Sequence, residues 1–258
     1  MLINLALALA GGYVLLLLLA VLFGEKLLLP APPSSYTDSP DILKLRTADG
    51  ENISATYLPN PSAALTVLYS HGNGEDIGSN REWLTELHGR GFAVFAYEYR
   101  GYGTSDGKAS EEHAYRDIDA AYDYLTGTLQ VPPERIILFG RSVGSGPSVD
   151  LAARRKVGGL VLEAAFTSAW RVVTRVGILP CDRFVNIDKI PKVTCPVLII
   201  HGRKDGIVPF SHGPKLLAAA HEPKMHLWLD SAGHNDCPWV GDETYWQTLK
   251  QFAQTVGK

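Results

Sequence analysis

The sequence predicts an α/β fold: a mostly parallel β-sheet covered by helices on both faces, preceded by one apolar N-terminal helix. Three observations predict it. Short, near-continuous apolar runs alternate with amphipathic segments along most of the 258 residues. One such run, 136–139, leads directly into Gly140-Arg141-Ser142-Val143-Gly144, with a helix-compatible segment beyond it. Residues 2–23, by contrast, contain no charged side chain at all. The length and the 46% hydrophobic composition allow one domain with a large core plus a small appendage.

Taken in order, the chain opens on the apolar stretch, in which 14–21 is almost pure leucine. As a helix rising about 1.5 Å per residue it would span roughly 33 Å, enough for the hydrocarbon core of a bilayer. We expect an uncleaved transmembrane anchor over 1–29. A signal peptide would begin with basic residues and end on a small-x-small site, whereas here no Lys or Arg precedes the run and Ala8-Leu9-Ala10 lies in its middle. A buried core helix fits less well, because the segment is apolar on every face and sits outside the domain. Lys26, Lys44 and Arg46 follow the anchor and only the α-amine precedes it, so the positive-inside tendency places the domain of this single-pass membrane protein on the cytoplasmic side. Residues 30–40, which begin Pro30-Ala31-Pro32-Pro33-Ser34-Ser35, read as a stiff spacer.

The domain is expected over 41–258. Runs 42–46 and 53–58 flank Asp49-Gly50 and suggest a leading hairpin. Further strands are expected at 65–70, 92–97, 136–139, 160–162, 197–200 and 226–229, and helices at 80–89, 110–126, 149–156, 212–220 and 243–255. Ser110 followed by Glu111 and Glu112 supplies a cap and first-turn acids for the second of these helices. There is no internal repeat and no second domain boundary. A net charge of −3 with acids and bases interspersed excludes the clustered basic face that nucleic acid requires. Cys181, Cys195 and Cys237 are too few and too scattered for a disulfide framework or a zinc site, so no metal is expected. Oligomeric state is not legible.

The Gly-x-Ser-x-Gly pentapeptide between a strand and a helix is the context of a nucleophile elbow. Such a turn holds the serine in strained backbone geometry and leaves almost no room for side chains two residues either side, hence Gly140 and Gly144. It also leaves the Val143 N–H at a helix N-terminus, where negative charge is favoured. A nucleophilic serine needs a base and a carboxylate to orient that base, and in parallel sheets these should follow strand ends. Asp205 follows the run 197–200 and His234 follows 226–229, which gives the chain order Ser142, Asp205, His234. Glu163, directly after 160–162, is the rival carboxylate. His71 and His201 each precede a glycine at a strand end, where a histidine more often bonds its own loop, and His113, His212, His221 and His226 read as surface or packing residues. For a second oxyanion donor we assign the Asn73 N–H in Ser70-His71-Gly72-Asn73-Gly74, beside that of Val143. No Gly-Lys-Ser/Thr follows this loop, so it is not a P-loop.

From about 42 to 256 the chain resembles the α/β-hydrolases, and more narrowly the Bem46-like membrane-anchored serine hydrolases and the α/β-hydrolase-domain protein depalmitoylases. The likeness rests on Ser70-His71-Gly72-Asn73, Tyr99-Arg100-Gly101-Tyr102-Gly103, Asp117-Ile118-Asp119-Ala120-Ala121, Gly140-Arg141-Ser142-Val143-Gly144, Asn186-Ile187-Asp188-Lys189-Ile190, Ser211-His212-Gly213 and Ala232-Gly233-His234-Asn235-Asp236. It implies an eight-stranded sheet, the triad Ser142, Asp205 and His234, and no cofactor. It departs at the N-terminus: those depalmitoylases attach through an acylated cysteine cluster, whereas this chain has no cysteine before Cys181 and carries the apolar anchor instead.

Only about 165–193 is available for a cap, which leaves the serine fairly open. Phe166, Trp170, Val172, Val173, Val176, Ile178 and Leu179 form an apolar set within it, open to two readings: an acyl groove, or the surface that seats the cap on the core. With the anchor, the expected substrate is an acyl ester or thioester presented at the lipid bilayer. The competing expectations are a catalytically idle hydrolase fold acting as an interaction module, and a serine peptidase on the same fold.

Overall fold

The computed structural model describes residues 2–175, 177 and 179–257. Among these residues an N-terminal helix α1 (Leu2–Leu28) precedes eight strands and seven further α-helices. The strands are β1 (Ile42–Arg46), β2 (Asn52–Leu58), β3 (Thr66–Ser70), β4 (Ala93–Tyr97), β5 (Ile136–Arg141), β6 (Gly159–Glu163), β7 (Val197–Gly202) and β8 (Lys224–Leu229). They form one sheet in the order β1-β2-β4-β3-β5-β6-β7-β8. β1 and β2 are the expected hairpin, antiparallel to each other, and β2 joins β4 antiparallel; every other pairing is parallel.

The alternation of side chains along each strand divides the core into two layers. Leu68, Phe95, Leu138, Leu162 and Ile199 face the layer covered by α3 (Glu111–Asp123), α4 (Ser145–Arg154) and α7 (His212–Ala219). Tyr69, Val94, Phe139, Val161 and Ile200 face the layer formed with α2 (Arg81–Gly89) and α8 (Cys237–Ala253), where Trp83, Tyr245, Trp246 and Phe252 pack. Both faces are covered, which is why the strands read as continuous apolar runs rather than as polar-apolar alternations.

Two helices differ from expectation for local reasons. α4 begins at Ser145 rather than 149, although Gly146 and Pro147 look like breakers. Pro147 falls in the first turn, where a missing N–H has no intrahelical partner to lose. α8 begins at Cys237 rather than 243, because a first segment with Pro238 in its opening turn continues through a kink at Asp242 (φ 42°) into the expected helix. Two short helices, α5 (Arg171–Thr174) and α6 (Asn186–Lys189), lie in the region assigned to the cap. Asp182 closes the neck of this excursion by accepting from the Ser168 hydroxyl (2.6 Å) and the Trp170 N–H (3.0 Å).

α1 carries an apolar window, Leu9–Leu28, of mean hydropathy 1.9. Its C-terminal end touches the domain. Ala20 and Gly24 are buried, a side chain added at Gly24 would meet the Trp170 ring at 2.8 Å, and Leu29 belongs to the main core cluster. The following stretch, expected as a spacer, is held as well: Ser35 donates to Asp76 through its backbone N–H (2.7 Å) and its hydroxyl.

Two motifs of the resemblance meet in a buried ion bridge. Arg100 donates from its backbone N–H (2.9 Å) and Nε (2.8 Å) to Asp117 on α3, and its guanidinium forks onto Asp49 in the β1–β2 turn at 2.6 and 2.7 Å. Burial pushes the Asp117 carboxyl up to about 6 against the pull of these bonds, while the Arg100 hydrogen bonds hold Asp49 well below the usual carboxylate range. Replacing Arg100 by Met takes the guanidinium away from the buried Asp117 carboxylate and leaves it only the backbone N–H of residue 100. We predict that Arg100→Met lowers unfolding free energy by about 3–5 kcal/mol in guanidinium titrations; a change within error would show that the bridge contributes nothing net.

Candidate active site

The turn after β5 is built by close backbone approach. Ser142 has φ 52°, followed by a 3₁₀ turn (Ser142–Gly144) that runs into α4. A Cβ at Gly144 would lie 2.1 Å from the Ser70 carbonyl oxygen, and one at Gly140 would lie 2.6 Å from that of Gly144. Gly146 makes a further close approach: a Cβ there would lie 2.2 Å from the Phe184 ring, so the segment carrying Phe184 rests directly on the first turn of α4. The Ser145 hydroxyl donates to the Ser142 carbonyl (2.6 Å) and accepts from Asn186 Nδ2 (3.0 Å), which also donates to Phe166 O.

Three loops at the carboxyl ends of β5, β7 and β8 bring Ser142, Asp205 and His234 into one hydrogen-bonded row. His234 Nε2 lies 3.0 Å from Ser142 Oγ, and His234 Nδ1 lies 2.8 Å from Asp205 Oδ2. A carboxylate at Nδ1 fixes the proton there and leaves Nε2 free to accept from the serine hydroxyl. The other carboxylate oxygen, Oδ1, accepts the Ile207 and Val208 N–H groups, both at 2.8 Å. Burial pushes the Asp205 pKa up, but bonds from His201, His234 and the Ile207 N–H outweigh it and hold the carboxyl well below its ordinary value. Glu163, the rival carboxylate, is engaged elsewhere: it accepts from Tyr245 OH (2.6 Å), lies 3.6 Å from Arg141 Nε, and is pushed up by burial.

The hydrogen bonds of the loop after β3 can be followed peptide by peptide. Between His71 and Gly72, the carbonyl accepts from Tyr99 OH (2.7 Å) and the N–H donates to Glu75 Oε2 (3.1 Å). In the next peptide, the Gly72 carbonyl lies 2.7 Å from His71 Nδ1. A planar trans peptide then points its other end, the Asn73 N–H, the opposite way. Neither Asn73 N–H nor Val143 N–H meets a protein acceptor among the described residues. His71 is 1% exposed, and its Nε2 makes an ion-pair contact at 3.1 Å with fully buried Glu98. Burial lowers the His71 pKa, but the Glu98 carboxylate outweighs this and raises it. Glu75, Tyr99 and Glu98 were not singled out from sequence; Tyr99 alone stood in a motif of the resemblance.

The remaining sites are more scattered. His201, fully buried, places Nε2 3.0 Å from Val208 O and 3.3 Å from Asp205 Oδ2. His212, expected as a surface or packing residue, is buried, accepts the Thr167 N–H at Nδ1 (3.0 Å), and is pushed down to about 4 by burial and by Lys215. Of the apolar cap set, Phe166 and Leu179 are buried, the Trp170 ring lies against α1, and Val173 is 75% exposed. Val176 and Ile178 lie outside the described residues.

Comparison with known proteins gives three findings. The Hydrolase_4 family model, described as serine aminopeptidase, S33, matches residues 61–185. Alpha/beta hydrolase domain-containing protein 17B is 41% identical to this chain over 224 residues in Xenopus tropicalis and 40% in Homo sapiens. Each alignment covers 85% of this chain and 77% of the relative. Among solved structures, an esterase of Pyrococcus furiosus superposes with a TM-score of 0.74 at 18% identity, covering 88% of this chain and 99% of that one, which is a likeness of fold.

Two outcomes test this geometry. Gly144→Ala should fold poorly or not at all, since the clash is with backbone; wild-type melting temperature and activity would refute the close approach. Asp205 has a depressed folded pKa, so its contribution to stability is full above the unfolded value, about 3.9, and fades as pH falls through the folded one. The stability gap between wild type and Asp205→Asn in urea should therefore shrink from pH 5 to pH 2; a constant gap would count against the charged carboxylate.

Proposed function

The chain belongs to the α/β-hydrolase superfamily, and from that premise we propose that it is a membrane-anchored serine hydrolase cleaving acyl esters or thioesters through an acyl-enzyme. The observation that carries the proposal is the hydrogen-bonded row Ser142 Oγ, His234 Nε2, His234 Nδ1, Asp205 Oδ2. Ser142 Oγ attacks the acyl carbon while His234 Nε2 takes its proton, and Asp205 steadies the imidazolium that results. The oxygen that becomes negative is received by the Asn73 and Val143 N–H groups, each such donor being worth on the order of 10²–10³ in rate. Collapse of the adduct expels the alkoxide or thiolate, which takes the proton from Nε2. Water, deprotonated at the same nitrogen, then attacks the acyl-serine, and collapse of this second adduct breaks the acyl–Oγ bond, returns the proton from Nε2 to Ser142 Oγ and releases the carboxylic acid.

The acyl class is supported by the resemblance to depalmitoylases and by α1. That helix is long and apolar enough to cross a bilayer and meets the cap at Trp170, which would hold the catalytic domain at the lipid surface. Lys26, Lys44 and Arg46 favour the cytoplasmic side. The description of the matching family model, serine aminopeptidase, favours a second reading in which an N-terminal amide is cleaved by the same groups.

We predict that a fluorophosphonate probe labels the wild-type chain at Ser142 and that Ser142→Ala abolishes labelling and lowers ester turnover by about 10⁴–10⁶-fold. Long-chain p-nitrophenyl esters and S-acyl peptides should be cleaved faster than aminoacyl p-nitroanilides. Undiminished turnover by Ser142→Ala would end the mechanism, and preference for the anilides would establish the peptidase reading.

A further inference from the structure

Arg141 is the last residue of β5, directly before the serine, and the mechanism above makes no use of it. It sits on the last rung of the sheet, in register with Glu163 on β6. Its side chain is 12% exposed, and its guanidinium faces acceptors on the loop after β3, the loop after β8 and the end of β6. Nη1 lies 3.1 Å from Glu75 Oε1, Nη2 donates to Asn235 Oδ1 at 3.1 Å, and Nε lies 3.6 Å from Glu163 Oε1. The other oxygen of Glu75 accepts the Gly72 N–H (3.1 Å) and Asn80 Nδ2 (3.3 Å). Gly72 is the neighbour of Asn73, and Asn235 is the neighbour of His234.

We propose that Arg141 is a positioning residue that fixes the oxyanion loop against the nucleophile turn, acting through Glu75. The inference rests on the serine-hydrolase reading and names the group that sets its geometry. The chain of contacts is short: Ser142 is bonded to Arg141, Arg141 holds Glu75, and Glu75 holds the peptide that leads into the Asn73 donor. A displacement of that donor by an ångström forfeits much of its effect on the developing charge. Only a planar fork can face Glu75, Asn235 and Glu163 from one position; a lysine ammonium on a flexible stem could satisfy one of them well. Gly72 is adapted to the same contact, since a Cβ there would lie 3.3 Å from the Glu75 carboxylate.

The test uses the full chain in detergent, with Arg141→Met, Arg141→Lys, Glu75→Gln and the double variant Arg141→Met/Glu75→Gln. Glu75→Gln keeps an acceptor for the Gly72 N–H and removes only the ion pair, so it reports on the coupling without stripping the loop. For a p-nitrophenyl ester we expect kcat to fall about 10–100-fold in Arg141→Met with KM within about twofold, and less in Arg141→Lys. The double variant should lose no more than Arg141→Met alone, because both changes cut one connection. The acidic limb of the pH profile should stay in place, since His234 and Asp205 keep their partners. Independently of turnover, amide exchange at Gly72, whose N–H is bonded to Glu75, should quicken in Arg141→Met and Glu75→Gln. Additive losses, a raised KM with kcat intact, a displaced pH limb that accounts for the whole loss, or unchanged exchange at Gly72 would each overturn the proposal.

Discussion

The contact on which the rest depends is between main chains: the elbow of residues 140–144 lies against the end of β3, with Gly144 where no Cβ fits beside the Ser70 carbonyl. Parallel strands end at the same level, so loops leaving β3 and β5 are neighbours by topology. Topology alone brings them within reach; Gly144 lets them touch, and Gly140 lets the elbow fold back over its own strand end. Once they touch, the positive φ at Ser142 follows, because the chain must reverse in a space that admits no side chain on either flank. The strain is held by fully buried neighbours, Phe139 and Ser148 among them.

Around that contact the domain spends its buried charge on orientation. His71 and Glu98, Arg141 and Glu75, Asp205 and His201 are ionisable pairs that include or lie within two residues of Ser142, Asp205 or the 72–74 loop. Buried pairs of this kind contribute little net stability against an apolar core of the same shape, yet each fixes a direction in space. The Gly72–Asn73 peptide illustrates the distinction. His71 gains no great stability from its carbonyl bond, but the bond decides which way the opposite N–H faces.

Much of the fold was legible because a doubly covered sheet writes itself as apolar runs, and the runs at 42–46, 136–139 and 197–200 mark the strands they form. Ser142, Asp205 and His234 were legible as residues just past strand ends, and the structure brings those three into hydrogen-bonded contact. The helix starts at Ser145 and Cys237 were hidden by Gly146, Pro147 and Pro238, residues whose breaking effect vanishes in a first turn. Less visible still was Glu75. Its role depends on an arginine 66 positions later and an N–H three positions earlier, a conjunction no periodicity records. The seating of Trp170 on Gly24 was unreadable for the same reason, since it joins segments that look independent.

The neck at Asp182 gives the cap a separate standing. With Ser168 and Trp170 pinned to one carboxylate, the loop beyond them begins and ends at nearly the same point in space. The entropic cost of closing such a loop rises only by about 0.6 kcal/mol for each doubling of its length. Residues 171–181 can therefore be lengthened, shortened or exchanged while the neck keeps the change from propagating to the serine.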